Sequence, residues 1–472
     1  MELKRQLGLP TATLVVIASM MGTGIFFTTG IILQMTRQAW LVLLLWLLGG
    51  FTAICGALCY VELATLWPQT GGEYVYLKKT FGRLPGFLTG WISLIVGFSA
   101  PVATSALAFV SYLNAFYREL PDAAGNTADL ISGTGPQKLL AAFLVFFFGL
   151  LHIVGVQWGS RIQNGLTVLK FLIAASFAAG GLWMADWSQA ARLAAVYPAE
   201  SAAPAADLPI WGLSLLIIMF SYSGWNAASY IAGEIRDPER NLRKALLYGT
   251  ACTAALYFLL NLVYLIAVPG PDLMGQEAVG ALAARHLFPL PIVQFYTLGI
   301  SLILLSSISV QMMIGPRVYF AMARDRLMFS PLARVHPRLG TPWIAILLQM
   351  ILAILYIFTG SAQKLLEYMG FALTVFPLLA ILGLFFLKRK KLVPRQGTPR
   401  FFFPWIPAAF IALTFCMAAS ALLAWTRTTW FALMVVLSGI PVYYYWEWSL
   451  SGKKPLPDDA PTEPPPSESQ PE

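Results

Sequence analysis

The chain has 472 residues, 58% of them hydrophobic and 11% charged, with a mean hydropathy of +0.69. A soluble domain carries about 25% charged residues, so this composition excludes a protein that faces water on all sides and predicts one that faces lipid. The net charge of +9 does not mark a nucleic-acid binder, because the basic residues are sorted by side of a membrane, as the elements below show.

Spanning a hydrocarbon core of about 30 Å takes roughly 20 helical residues. Twelve apolar runs are long enough, at about 12–34, 40–66, 86–117, 138–154, 161–184, 209–233, 243–268, 289–324, 341–359, 365–387, 402–424 and 428–447. They are continuous and do not alternate, which predicts helices and not barrel strands. Met1 to Leu9 is a short polar tail with no cleavable signal sequence before the first span. With that tail taken as cytoplasmic, 23 of the 31 Lys and Arg fall on its side, seven on the other, and Lys170 lies inside a span. This positive-inside bias places both termini in the cytoplasm.

The first span is interrupted near its centre by Ser19-Met20-Met21-Gly22-Thr23-Gly24. The second holds Cys55 and Cys59 at helical i, i+4 spacing with no His nearby; these and Cys252 and Cys416 read as packing residues. Glu62, Glu73 and Glu234 sit at cytoplasmic helix ends beside basic loops and are expected to form gate or loop ion pairs. His152 in the fourth span reads as a packing histidine. Lys170 lies nine residues past Arg161, about 13 Å into the fifth span. A lysine at that depth costs ~2.5–3.5 kcal/mol or more, so a function or a specific partner must offset it.

The sixth span is interrupted by Phe220-Ser221-Tyr222-Ser223-Gly224-Trp225-Asn226. Spans one and six, and the unusually long spans three and eight, are each five helices apart. An odd offset reverses direction, which predicts two five-helix units in inverted topology, at about 11–184 and 209–387. Spans eleven and twelve, 402–447, are then accessory. From Ser451 the chain turns Pro-rich and acidic, and 451–472 reads as a disordered cytoplasmic tail after a transmembrane domain of 1–450.

Both interruptions sit roughly 16 Å deep, near mid-bilayer, so the two breaks can meet. Opening a helix there exposes backbone groups that cost several kcal/mol unless something satisfies them. N–H groups at the start of the outer half of span one suit a carboxylate. Carbonyls released in span six suit an ammonium. The pair forms a cradle for a zwitterionic α-amino acid; close helix packing through Gly-x-Gly is the alternative.

The stretch Met21-Gly22-Thr23-Gly24-Ile25-Phe26 resembles the first-helix motif of the amino acid–polyamine–organocation superfamily. FSYSGWNAASYIAGEIRDPERNL, Phe220 to Leu242, is similar to the light subunits of L-type amino acid transporters and their bacterial relatives. ELATLWPQTGGEYVYLKKTFG, VQWGSRIQNGLTVLK and GPRVYFAMARDRL agree. The resemblance runs from about residue 8 to 345 and more weakly to 450. It implies an all-α membrane protein of LeuT type, a 5+5 inverted repeat plus two accessory helices. Gly22, Thr23 and Gly24 match its carboxylate-binding motif, which Ser19 precedes in the same interruption. Phe220 matches the aromatic that closes over substrate. Ser221 and Ser223 match positions whose carbonyls meet the amino group, and Asn226 a polar residue of that helix. Ser223 stands where many members have glycine, which narrows the pocket or adds a hydroxyl. At the position of Lys170 the resemblance implies an ammonium replacing the sodium ion of sodium-coupled relatives, bracing span one against spans five and eight; deprotonation that couples transport to protons, and a structural lysine hydrogen-bonded to carbonyls, are the alternatives.

No Walker loop, zinc motif or hydrolase elbow occurs, so no enzyme, metal or cofactor is expected. The expectation is a bacterial inner-membrane secondary transporter of neutral amino acids, a sodium-independent exchanger. A proton-coupled amino acid or amine permease or exporter is the alternative, and a non-transporting amino acid sensor a second. Light subunits join a heavy chain through a cysteine in the external loop after span three. Here that loop, about 118–137, has none, so no disulfide-linked heavy chain is expected; the partners are the amino acid and the bilayer.

Overall fold

The structure, a computed structural model, describes residues 3–118, 130–197, 208–276, 278–359, 362–390, 402–424 and 427–450. The acidic tail and residues 119–129 of the external loop lie outside the described residues. Helices follow the predicted runs closely because each run is apolar around its whole circumference, as a helix in lipid must be. The first crossing is two pieces, α1 (Leu9–Met20) and α2 (Gly24–Thr36). Then come α3 (Ala39–Leu66), α4 (Glu73–Phe81), α5 (Arg83–Arg118), α6 (Thr134–Val154) and α7 (Val156–Met184). The sixth crossing is again divided, into α8 (Leu208–Tyr222) and the short α9 (Ala227–Tyr230). It is followed by α10 (Pro238–Ala267), α11 (Leu290–Arg324), α12 (Trp343–Thr359), α13 (Ala362–Arg389), α14 (Trp405–Ala424) and α15 (Arg427–Leu450). Among the described residues no strand forms beyond two isolated bridges.

The crossings divide into an inner and an outer set. The α1–α2 pair and α11 are the most enclosed; α6 is the least, and its Phe143, Phe146, Phe147 and Leu150 stand exposed where lipid would lie. The enclosed helices carry the polar groups, and these bond between helices. Thr29 donates to Asn261 at 2.5 Å, joining α2 to α10, and Gln163 donates to Ser306 at 3.2 Å, joining α7 to α11. His152 packs as expected, with Nε2 2.9 Å from Ser309 Oγ.

Two features were not foreseen. The nine-residue α4 lies between the second and third crossings, and Gly71 and Gly72 take φ of +124° and +54° in front of it. A Cβ on Gly72 would lie 2.6 Å from the Tyr230 ring, so only glycine lets the chain turn this close to α9. At its other side Lys78 pairs with Asp325 at 2.8 Å and Tyr74 donates to the same carboxylate at 2.5 Å, anchoring α4 to the end of α11. The second feature is a backbone clasp on the side of the N-terminus. The Gln6 and Leu7 N–H groups both donate to the Glu234 carbonyl at 2.9 Å, and Arg236 N–H donates back to Leu7 at 2.8 Å.

The expected ion pairs form in two of three cases. Glu62 meets Lys388 at 2.9 Å, and Glu234 meets Arg317 at 2.8 Å in a fully buried pair. Glu73 does not: it points inward, away from the basic loops. Of the cysteines, Cys55 and Cys59 are buried packing residues, whereas Cys252 is exposed on α10.

Candidate functional site

The two broken crossings meet back to back. α1 stops at Met20 because Met21 leaves helical geometry (φ −76°, ψ 74°), and α2 starts at Gly24 with no side-chain cap. Across from it α8 stops at Tyr222, and Gly224 adopts φ +99°. Both glycines are required by proximity. A Cβ on Gly24 would lie 2.8 Å from Ser221 Cβ, and one on Gly224 would lie 2.6 Å from Ser19 Cβ. The Gly-x-Gly therefore serves close packing and chain opening together.

The backbone groups released at the breaks are satisfied by three side chains from other helices. Lys170 of α7 is 1% exposed. Its Nζ donates to the Ala18 carbonyl at 3.1 Å, to Ser307 Oγ at 2.9 Å, and to the Met21 carbonyl. Ser307 of α11 also donates to Met21, at 3.2 Å. Tyr257 of α10 donates to the Met20 carbonyl at 2.6 Å and lies 3.3 Å from that of Ser221. The ammonium thus ties the end of α1 to α7 and α11, and the phenol ties both breaks to α10. Tyr257 and Ser307 escaped sequence reasoning, since a lone tyrosine or serine in an apolar span carries no period or motif.

A cavity opens beside the breaks. All eight predicted binding positions line it: Ser19, Gly22, Thr23, Gly24, Phe220, Ser221, Ser223 and Asn226. Lys170 does not; it lies behind the backbone it braces. The first N–H groups of a helix lack intrahelical acceptors, and at α2 they face this space uncapped. Ser19 Oγ is buried there without a hydrogen bond among the described residues. Asn226 is 7% exposed and donates through Nδ2 to Glu73 Oε1, with the Tyr230 hydroxyl 3.3 Å away. Glu73 lines the cavity too, which its place in a loop between spans gave no sign of. Burial pushes its carboxyl up to about 7. Among the described residues no cluster of metal-ligating side chains occurs.

This arrangement has two donor-rich and acceptor-rich backbone ends around one enclosed space, and the chain's relatives share its length. The serine/threonine exchanger SteT of Bacillus subtilis is 29% identical over 94% of this chain and 97% of its own. The large neutral amino acids transporter small subunit 2 of Homo sapiens is 28% identical over 94% and 81%. The human b(0,+)-type amino acid transporter 1 is 28% identical over 96% and 91%. The amino acid permease family matches residues 7–444. The chain therefore belongs to the amino acid permease family and is a multi-pass membrane transporter of amino acids, not an enzyme.

Proposed function

We propose that this protein exchanges neutral amino acids across a plasma membrane by alternating access, without sodium. The observation that carries the reading is Lys170. Its ammonium donates to Ala18, Met21 and Ser307 at the first break. An ammonium held there by three acceptors supplies the bracing that a bound sodium ion would otherwise supply, so no sodium need enter or leave with substrate. The cost of that charge in the membrane, ~2.5–3.5 kcal/mol, is offset by its hydrogen bonds.

The substrate carboxylate takes the N–H groups at Thr23 and Gly24 and the positive end of α2. The ammonium takes carbonyls at the second break, around Ser221 and Ser223, and the unpaired Ser19 Oγ accepts from it as well. Phe220 covers the bound molecule, and Ser223 limits its bulk. Both termini lie in the cytoplasm, following the 23-to-7 division of Lys and Arg. Residues 11–184 and 209–387 form the inverted repeats; 402–447 are accessory, and no disulfide-linked heavy chain is needed. A relative named as an exchanger supports exchange over uniport.

Proteoliposomes test this. Uptake of labelled neutral amino acids that needs unlabelled amino acid inside, and is equal in sodium and sodium-free buffer, is the expected result. Uptake into empty vesicles driven by a pH gradient would establish a proton-coupled permease instead. Saturable binding with no flux would establish a sensor.

A further inference from the structure

Glu73 is an unusual residue to find on the wall of a transport cavity. It is 7% exposed, stands at the start of α4, and has Asn226 as its hydrogen-bond donor where a basic side chain was expected. No Lys, Arg or His pairs with it among the described residues. The same cavity wall carries the apolar Ile92, Phe98 and Phe376 and the hydroxyls of Thr89, Ser93 and Tyr230. Gly71 and Gly72 hold the chain against Tyr230, and the Lys78–Asp325 pair anchors the far end of α4. The carboxyl is therefore positioned by backbone geometry and not by a surface ion pair.

A carboxylate has about four acceptor positions; the Asn226 amide and the Tyr60 and Tyr230 hydroxyls take up to three of them, which leaves one for a ligand. A second acceptor faces the same space. Gln311 of α11 lines the cavity, and its Oε1 is buried without a hydrogen bond among the described residues. Buried acceptors left without donors are costly. The open Gln311 Oε1, on the same cavity wall as a carboxyl with acceptor room to spare, suits a ligand that brings donors of its own.

We propose that Glu73, with Asn226 and Gln311, forms the side-chain subsite of the cavity, and that it selects amino acids whose side chains end in a hydroxyl or amide donor over hydrocarbon side chains of the same size. The inference rests on the transport reading above and specifies its substrate class. The backbone cradle recognises what all α-amino acids share and cannot tell them apart. Discrimination must come from groups elsewhere on the wall. A site built to bond a donor rejects the analogue lacking one, because the site's own polar groups are then stranded. In an assay at about pH 8, where the carboxyl is charged, one hydrogen bond to it corresponds to roughly ten- to hundredfold in affinity.

The experiment is competition against labelled alanine counterflow in proteoliposomes of the full chain. The competitors are two near-isosteric pairs, threonine against valine and serine against 2-aminobutyrate. The wild-type protein is expected to prefer the hydroxyl member of each pair by about tenfold or more. In Glu73→Leu that ratio is expected to fall towards one, and Glu73→Gln, which keeps an acceptor, to fall between. The ratio within each variant is independent of how much protein is reconstituted. A wild-type ratio near one overturns the proposal without any variant, and so does an unchanged ratio in Glu73→Leu. Failure of the transport reading looks different: the wild-type protein then shows no counterflow of alanine.

Discussion

Lys170, Ser223 and Glu73 each carry one chemical decision. Removing the Lys170 ammonium leaves the Ala18 and Met21 carbonyls and Ser307 facing an empty space at the hinge of α1. Lys170→Ala is expected to slow exchange at least about tenfold, equivalent to ~1.4 kcal/mol. Counterflow per reconstituted protein measures it, and a wild-type rate would remove the brace from the account. Ser223 lines the cavity, and the proposed function has its side chain limit substrate size. Ser223→Gly is expected to admit larger aromatic amino acids as competitors; an unchanged competition profile would refute the role. Glu73 stands between spans, and burial raises its carboxyl from 4.5 to about 7. A raised carboxyl favours the folded state in its neutral form. That contribution is complete below the ordinary value and is lost as pH rises through about 7, amounting to ~3 kcal/mol. The melting temperature in detergent is therefore expected to fall from about pH 5 to about pH 8. Glu73→Gln should flatten that fall; a wild-type slope in the variant would show that another group titrates.

Between elements, the breaks depend on helices that bind no substrate themselves. Tyr257 holds α10 against both breaks through one hydroxyl, 2.6 Å from the Met20 carbonyl. Tyr257→Phe keeps the ring and leaves the Met20 carbonyl only the Gly22 N–H, 2.8 Å away, at a cost of ~0.5–1.5 kcal/mol. A lower melting temperature is expected, together with a raised KM for exchange, because both breaks lose a common support. A lower melting temperature with unchanged KM would make Tyr257 purely structural. On the side of the N-terminus, Arg317 of α11 bonds Glu234 through Nε at 2.8 Å and Nη2 at 3.1 Å, both residues about 1% exposed. Breaking a buried pair from one side costs ~3–5 kcal/mol because it leaves a lone charge. Arg317→Met is expected to abolish the monodisperse peak in size-exclusion chromatography, and the double variant with Glu234→Gln to recover part of it. Equal loss in both would mean that Arg317 acts through packing alone.

For the molecule as a whole, the division between lipid-facing and enclosed helices decides where function sits. α6 turns aromatic rings outward, while α1, α2 and α11 are enclosed and carry the cavity. The number and limits of the crossings were legible in the sequence because a helix in lipid must satisfy its own backbone, and apolar length alone reports that. The two breaks were legible for the same reason: glycine and serine at mid-depth are costly unless used. All eight expected cavity positions followed from these breaks and from a resemblance with long motifs. What could not be read was who supports the breaks. Tyr257 and Ser307 are polar residues without pattern, and their partners lie far away along the chain. Glu73 was misread as a loop ion-pairing residue because a charge beside lysines suggests one. Sequence alone determined the crossings and the opened helices, since each is set by local chemistry against the bilayer. Only the tertiary structure decided that Lys170 sits behind the cradle and that Glu73 faces into it. Those placements depend on how helices distant in sequence pack, and on a glycine turn whose direction no local rule specifies.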